Sequence, residues 1–175
     1  MKHLIKIIAI SSLLISQGAW ACSFGGSDLF KPTLERWDEH PGPAQRGEEG
    51  DYWEPVPAPV IKVVRVTRGS TAPGSSCSDA GTLSLEISLP EQSTYSIEEF
   101  GFFFRVKSGK LPDAIFPDVP MLGLIEGDKS NILFAWLDGH PSHQIELDLE
   151  VEVFLVTNGL NIGPSTIFTV TAGKG

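Results

Sequence analysis

An all-β, antiparallel sandwich of about seven strands, preceded by an irregular proline-rich segment, is the fold class that this sequence predicts. Three observations predict it. Residues Ile145 to Phe154 read Ile-Glu-Leu-Asp-Leu-Glu-Val-Glu-Val-Phe, an alternation of apolar and acidic residues that holds until Phe154, and a period of two is what a strand with one buried face requires. From Val60 onward further short runs, β-branched or alternating, are separated by Gly, Pro, Asn, Asp and Ser, residues that form turns. No segment carries the periodicity of a helix of ordinary length and no β-α-β alternation is visible, so the strands are expected to pair antiparallel.

The first elements are not part of the fold. Lys2 and Lys6 form a short basic region, Ile7 to Leu14 is mostly apolar, and Ala19-Trp20-Ala21 has the small-x-small pattern cut by signal peptidase; residues 1–21 therefore read as a signal peptide. The product is expected to be exported, periplasmic or secreted, with Cys22 as its first residue. The apolar run is short and broken by serines, and no later stretch approaches the roughly 20 apolar residues that a membrane-spanning helix needs. Loss of the two lysines takes the formal charge from −9 to −11. So acidic a domain argues against nucleic acid or anionic lipid as the main partner, since both require a cationic footprint. Residues 22–175 amount to one domain's worth of chain.

Cys22 and Cys77 are the two cysteines. In an oxidising compartment an isolated pair is most simply a disulfide, and a 56-residue loop closed by it, counting both ends, stabilises by on the order of 4 kcal/mol in the chain-entropy picture. A lipid anchor on Cys22 is the alternative, because lipoprotein signals place the modified cysteine there. Trp20 and Ala19 do not suit such a signal, and lipidation would leave Cys77 unpaired, so the disulfide is the more coherent reading.

Residues 22–59 contain Pro32, Pro41, Pro43, Pro55, Pro57 and Pro59, a density that excludes helix interiors and central strands. At most a short helical turn fits, around Thr33 to Asp38. Trp37, Tyr52 and Trp53 imply that the segment lies against the domain. Its acidic patch, Glu48, Glu49, Asp51 and Glu54, lacks the spacing and central glycine of a calcium loop and reads as a solvated loop.

The domain proper is expected over residues 60–175. Val60 to Thr67 is β-branched and reads as a strand, with the adjacent Val63 and Val64 hinting at a bulge. After a turn region from Arg68 to Gly81, Thr82 to Leu89 alternates with Leu83, Leu85, Ile87 and Leu89 on one face, completing a hairpin. Phe100 to Lys107 follows, with Phe102, Phe104 and Val106 inward and Phe103, Arg105 and Lys107 outward. Core packing explains the adjacent phenylalanines better than an aromatic ligand site does. A connection from Ser108 to Asn131 is expected to hold one short edge strand near Met121 to Ile125. Ile132 to Leu137, the long strand from Ile145 to about Thr157, and Ser165 to Thr171 complete the set, with Asn158-Gly159 as a turn.

The C-terminal part resembles a known family. Leu137-Asp-Gly-His-Pro141, the alternating strand to Val156-Thr157, Asn158-Gly-Leu-Asn-Ile-Gly-Pro-Ser165 and Ile167-Phe-Thr-Val-Thr171 look like the last three strands of a fibronectin type III or related immunoglobulin-like domain. The resemblance implies an immunoglobulin-like sandwich acting as a non-catalytic module for adhesion, spacing or partner binding, although a fold does not fix a function.

Few residues carry chemistry. Asp138, His140 and His143 lie within six residues, and a His-x-x-His pair beside an aspartate is a candidate zinc or copper set. In a turn interrupted by Pro141 that spacing does not guarantee convergence. A hydrolase built on the same histidines lacks a Gly-x-Ser-x-Gly elbow, and paired cysteines leave no thiol nucleophile. No cofactor is expected. The acids Glu146, Asp148, Glu150 and Glu152 form a ladder with carboxylates about 6.6–6.8 Å apart, a candidate interaction face. If the third strand lies beside it, Arg105 and Lys107 balance it, at about 0.2–1 kcal/mol per cross-strand pair. The reading favoured by these residues is an exported module that binds or supports a protein partner; the alternative is a small metal-binding or hydrolytic protein centred on His140 and His143.

Overall fold

The computed structural model describes residues 28–30, 56–70 and 77–175. The signal segment, the turn expected at Thr33 to Asp38, the rings of Trp37, Tyr52 and Trp53, and Cys22 lie outside the described residues. Within them the chain forms two antiparallel sheets packed face to face.

The first sheet is built on local pairing. Strand β2 (Val60–Thr67) runs antiparallel to β3 (Ala80–Ser88), with Ile61 opposite Ile87 and Val66 opposite Leu83. The register slips between Val63 and Arg65, so one of the two adjacent valines is an extra residue, a bulge. Val64 is 54% exposed there. On its other side β3 pairs along its length with β7 (Lys129–Leu137), Leu85 opposite Ile132. Strand β6 (Leu124–Glu126) then joins β7 through a turn in which Gly127 has φ 65°. The order is β2-β3-β7-β6.

The second sheet is built around β8 (Leu147–Val156), which lies between β4 (Gly101–Ser108) and β9 (Thr166–Ala172). Two short strands, β5 (Met121–Leu122) and β1 (Asp28–Leu29), extend it beyond β4 in the order β1-β5-β4-β8-β9. Nine strands are therefore present among the described residues, where the sequence suggested about seven; the additions are two or three residues long, too short for a periodic signal. The edge strand expected near Met121 to Ile125 is two strands in different sheets. Gly123 marks the crossing, where a Cβ would lie 2.5 Å from the Asn131 carbonyl oxygen and collide with the Ser130 side chain.

Alternation decides which side chains meet between the sheets. Leu83, Leu85 and Ile87 of one sheet share a buried cluster with Leu149, Val151 and Val153 of the other. Phe102 and Phe104 join it, and the Phe104 ring meets Phe134 edge-on at 5.1 Å and stacks on Phe116 at 5.6 Å. Phe103 points to the opposite face but is not exposed: it is buried with Phe154, Val156 and Leu160 in a second, smaller cluster. Loop residues 157–162 cover that face, with Leu160 held at φ 64°. Ile145, expected in the core, is 37% exposed, because the strand begins at Leu147 once the preceding turn has closed.

The sheet edges offer little to a templating strand. Strands β1, β5 and β6 are short, β2 is bulged, and Thr166 at the start of β9 hydrogen-bonds the Pro59 carbonyl just ahead of β2. Short or bulged edges discourage edge-to-edge association. No helix among the described residues is long and apolar enough to cross a membrane.

Leu149, 1% exposed, should cost about 2–5 kcal/mol when cut to Ala, whereas Ile167, on the outer face, should change stability by less than about 0.5 kcal/mol on the same substitution. Urea denaturation of the two variants checks the difference.

Candidate functional site

The outer face of the five-stranded sheet divides along β8. At the Val156 end it is covered: Phe103, Phe154, Val156 and Leu160 pack together, and Phe30 lies over Gly101, where a Cβ would fall 2.6 Å from its ring. Toward the start of β8 the face opens, and Asp148 and Glu150 stand there opposite Thr171 and Thr169 of β9.

Glu152 sits at the boundary and does not behave as a member of an exposed ladder. It is 6% exposed and lies directly opposite Arg105 in the β4–β8 pair. The Arg105 guanidinium donates to Glu152 Oε2 from Nη2 at 2.6 Å and from Nε at 3.0 Å, and stacks on the Phe154 ring at 5.2 Å from its centroid, a favourable cation–π geometry. Lys107 Nζ lies 3.8 Å from the same oxygen. Burial pushes the Glu152 carboxyl up, but hydrogen bonds from Arg105 and Ser165 and the charges of Arg105 and Lys107 outweigh it, so the group ionises below the ordinary carboxylate range. The cross-strand balance expected from Arg105 and Lys107 is present, and it falls on this one acid. Among the described residues, Glu146, Asp148 and Glu150 take part in no ion pair. They are the part of the ladder available to a partner, and Ile167 of β9, 51% exposed, lies opposite Glu152 beside them.

The second candidate, the Asp138–His143 turn, is separated by the fold into two jobs. Asp138 is turned inward. Arg68 grips it with Nε on Oδ2 at 2.8 Å and Nη2 on Oδ1 at 3.0 Å, the Gly69 N–H donates to Oδ2 at 2.7 Å, and the Trp136 indole N–H donates to Oδ1 at 3.1 Å. The side chains of Arg68 and Asp138 are 6% and 0% exposed. Burial drives the Asp138 carboxyl up, yet the bonds from Arg68, Gly69 and Trp136 more than offset it and hold it below its usual range. Every lone pair used here is used structurally, so Asp138 leaves the metal candidate set. His140 and His143 remain outside, on the 3₁₀ turn Pro141–His143, with ring centroids 6.2 Å apart. Among the described residues this turn does not assemble a hydrolytic triad: His140 Nδ1 lies 2.8 Å from Ser142 Oγ but also accepts from the Ser142 N–H at 3.2 Å, a local helix cap, and Asp138 is bonded to Arg68, Gly69 and Trp136. Among the described residues no group of three or more His, Cys, Asp or Glu is placed to hold a metal ion.

Arg68 and Gln144 were not legible as site residues. Arg68 reads as the first residue of a turn region, and its partner is 70 residues away. Gln144, 4% exposed, donates to the Gly69 and Gly139 carbonyls at 2.8 and 2.9 Å. The one available hint was Trp136-x-Asp138, which places an indole N–H and a carboxylate on the same side of a strand.

No family model, curated protein or solved structure matches the chain. The site is therefore read from its own chemistry.

Replacing Asp138 with Ala leaves the Arg68 guanidinium buried without its carboxylate and should cost about 3–5 kcal/mol, measured by denaturant unfolding. Replacing both with apolar residues of similar volume should recover much of the loss. Because the folded-state values of Asp138 and Glu152 are depressed, the unfolded chain binds more protons in acid. Their stabilisation is complete above the ordinary carboxylate range and is lost as pH falls through the folded values. A combined D138N/E152Q chain should accordingly show a flatter dependence of stability on pH in acid than the parent, in thermal melts across that range.

Proposed function

We propose that this chain is an exported, non-catalytic module of immunoglobulin- or fibronectin III-like type that works by contact with a protein partner. The observation that carries the reading is the divided outer face of β8. One acid, Glu152, is paired and buried, while Asp148 and Glu150 are presented on a rigid sheet near the exposed Ile167, with Glu146 just ahead of the strand. Rigid acids flanking an apolar side chain suit a partner surface that carries Lys or Arg around an apolar residue, since complementary charge steers encounter and sets register.

The strand order supports the family likeness. Strands β2-β3-β7-β6 facing β5-β4-β8-β9 follow the A-B-E-D and C-F-G arrangement of immunoglobulin-like sandwiches, with β5 as the extra strand beside C. Export rests on the signal segment at residues 1–21. A Cys22–Cys77 disulfide fits the same compartment: Cys77 lies in the turn that leads into β3, and no described cysteine is free. That bridge would hold the start of the mature chain to the β2–β3 loop.

A photo-crosslinking residue placed at Asp148 or Glu150 in cells should yield a discrete protein adduct that disappears in a D148K/E150K background, whereas the same group at Ser84, on the outer face of the other sheet, should yield none. Adducts that persist through the charge reversal, or that appear equally at Ser84, would dismiss the β8 face as the contact surface.

A further inference from the structure

We propose that the end of the sandwich carries a recognition site for a short peptide backbone, built from Arg68, Gly69 and Gln144, and that residues 173–175 of the chain fill it as a displaceable latch. The inference is independent of the partner-binding reading, because it concerns the end of the sandwich and not the outer face of β8.

The segment in the site shows how the site reads its ligand. After β9 the chain continues as Gly173-Lys174-Gly175. Arg68 Nη1 donates to the Gly173 carbonyl at 2.6 Å and to the Ala172 carbonyl at 3.3 Å, and the Gly175 N–H donates to Gln144 Oε1 at 2.8 Å. Recognition is therefore of backbone groups; Lys174 is exposed and takes part in no ion pair among the described residues. Side-chain selection is confined to one position. A Cβ on Gly175 would collide with the Gly69 carbonyl oxygen and come within 3.2 Å of Arg68 Cβ, whereas a Cβ on Gly173 would meet nothing within 4 Å. The ligand class is accordingly x-x-Gly, with glycine required at the third position alone.

The receiving groups are held in place without the latch. Asp138 grips Arg68 through two hydrogen bonds, and Arg68 Nη2 also donates to the Ile145 carbonyl at 2.8 Å. The Gln144 amide donates to the Gly69 and Gly139 carbonyls. Two carbonyl acceptors fix which way an amide points, so Oε1 faces the latch. Gln144 is buried, as is Gly69, where a Cβ would fall 2.6 Å from the Gly139 carbonyl oxygen; the floor of the site is bare backbone. A receptor prearranged in this way loses little freedom when a ligand arrives.

The latch, by contrast, has little to keep it. Residues 173–175 are all exposed, and two of the three are glycine, the residue with most conformational freedom to regain on release. Its advantage is its tether, which gives an effective concentration in the millimolar range. Release leaves Gln144 Oε1 and Arg68 Nη1 without these partners in a largely buried setting, a costly state. A peptide in trans that offers the same carbonyls and N–H removes that cost.

The test uses NMR of the isotope-labelled full chain, with acetyl-Ala-Gly-Lys-Gly-amide as the probe. In the parent, the N–H of residue 175 should exchange with solvent more slowly than an open glycine amide. G175A adds only the colliding Cβ and should free the segment: that protection should vanish and the Gln144 side-chain amide signals should shift, while the signals of β8 stay in place. The peptide should then bind G175A saturably at millimolar concentration and restore the parent's Gln144 signals. It should bind the parent several-fold more weakly, because the tethered latch competes. Acetyl-Ala-Ala-Lys-Gly-amide should match the first peptide, and acetyl-Ala-Gly-Lys-Ala-amide should not bind. Parent-like protection of residue 175 in G175A overturns the proposal. So does the absence of saturable shifts at Gln144 with the first peptide, or equal binding of the peptide that ends in alanine.

Discussion

Burial of both faces of β8 is the constraint on which the rest of the structure depends. Leu149, Val151 and Val153 fill the space between the sheets, while Phe154 and Val156 are covered on the other side. A one-residue slip would exchange these apolar residues with Asp148, Glu150 and Glu152, and carboxylates in that core would cost far more than any hydrogen bond could return. The register of β4 and β9 is set against this strand, and with it the placement of Arg105 opposite Glu152. The pairing that looks electrostatic is therefore a consequence of apolar burial; charge refines an alignment that hydrophobic contact has already chosen.

A second constraint acts at the end of the sandwich where β8 begins. Arg68 leaves β2 and binds Asp138 after β7, the Ile145 carbonyl ahead of β8, and the Ala172 and Gly173 carbonyls at the end of β9. The Asp138 and Gly139 N–H groups in turn donate to the Asp79 carbonyl in the turn before β3. Segments from both sheets are joined by one ion pair whose hydrogen bonds are all directed. Such a pair contributes little net stability compared with a well-packed apolar substitute, but breaking one side of it is costly. Its effect is positional: it fixes the path of residues 138–146, and so where the histidine turn and the exposed acids stand.

The two candidate surfaces follow from these constraints in different ways. The acidic face is open because loop residues 157–162 and Phe30 cover only the Val156 half of the sheet. The histidine turn projects because Asp138 and Gln144 on either side are pulled inward, leaving Pro141 to His143 to bridge the gap at the surface. Polar residues that hold the fold and polar residues that face solvent alternate over a few positions, and neighbours in sequence have opposite roles.

The sequence by itself determined the strands whose signal is periodic. The limits of β2, the bulge at its paired valines, the inward leucines of β3 and the alternating face of β8 were all legible, since a period of two is a local property that any half-buried strand must show. Strands of two or three residues were legible only as one short edge strand near Met121 to Ile125, because no period can be read from so few positions; its division between the two sheets occurs at Gly123, and β1 left no signal. Tertiary structure alone decided the polar groups. Asp138 appeared beside two histidines as a ligand, and only the fold brought Arg68 from 70 residues away to claim it. Likewise the acids of β8 were equivalent in sequence, and the neighbouring strand distinguished them by placing a guanidinium against Glu152 and none against Asp148 or Glu150. Apolar patterning is written locally because water acts on every residue alike, whereas the meaning of a charge depends on which other charge the fold delivers to it.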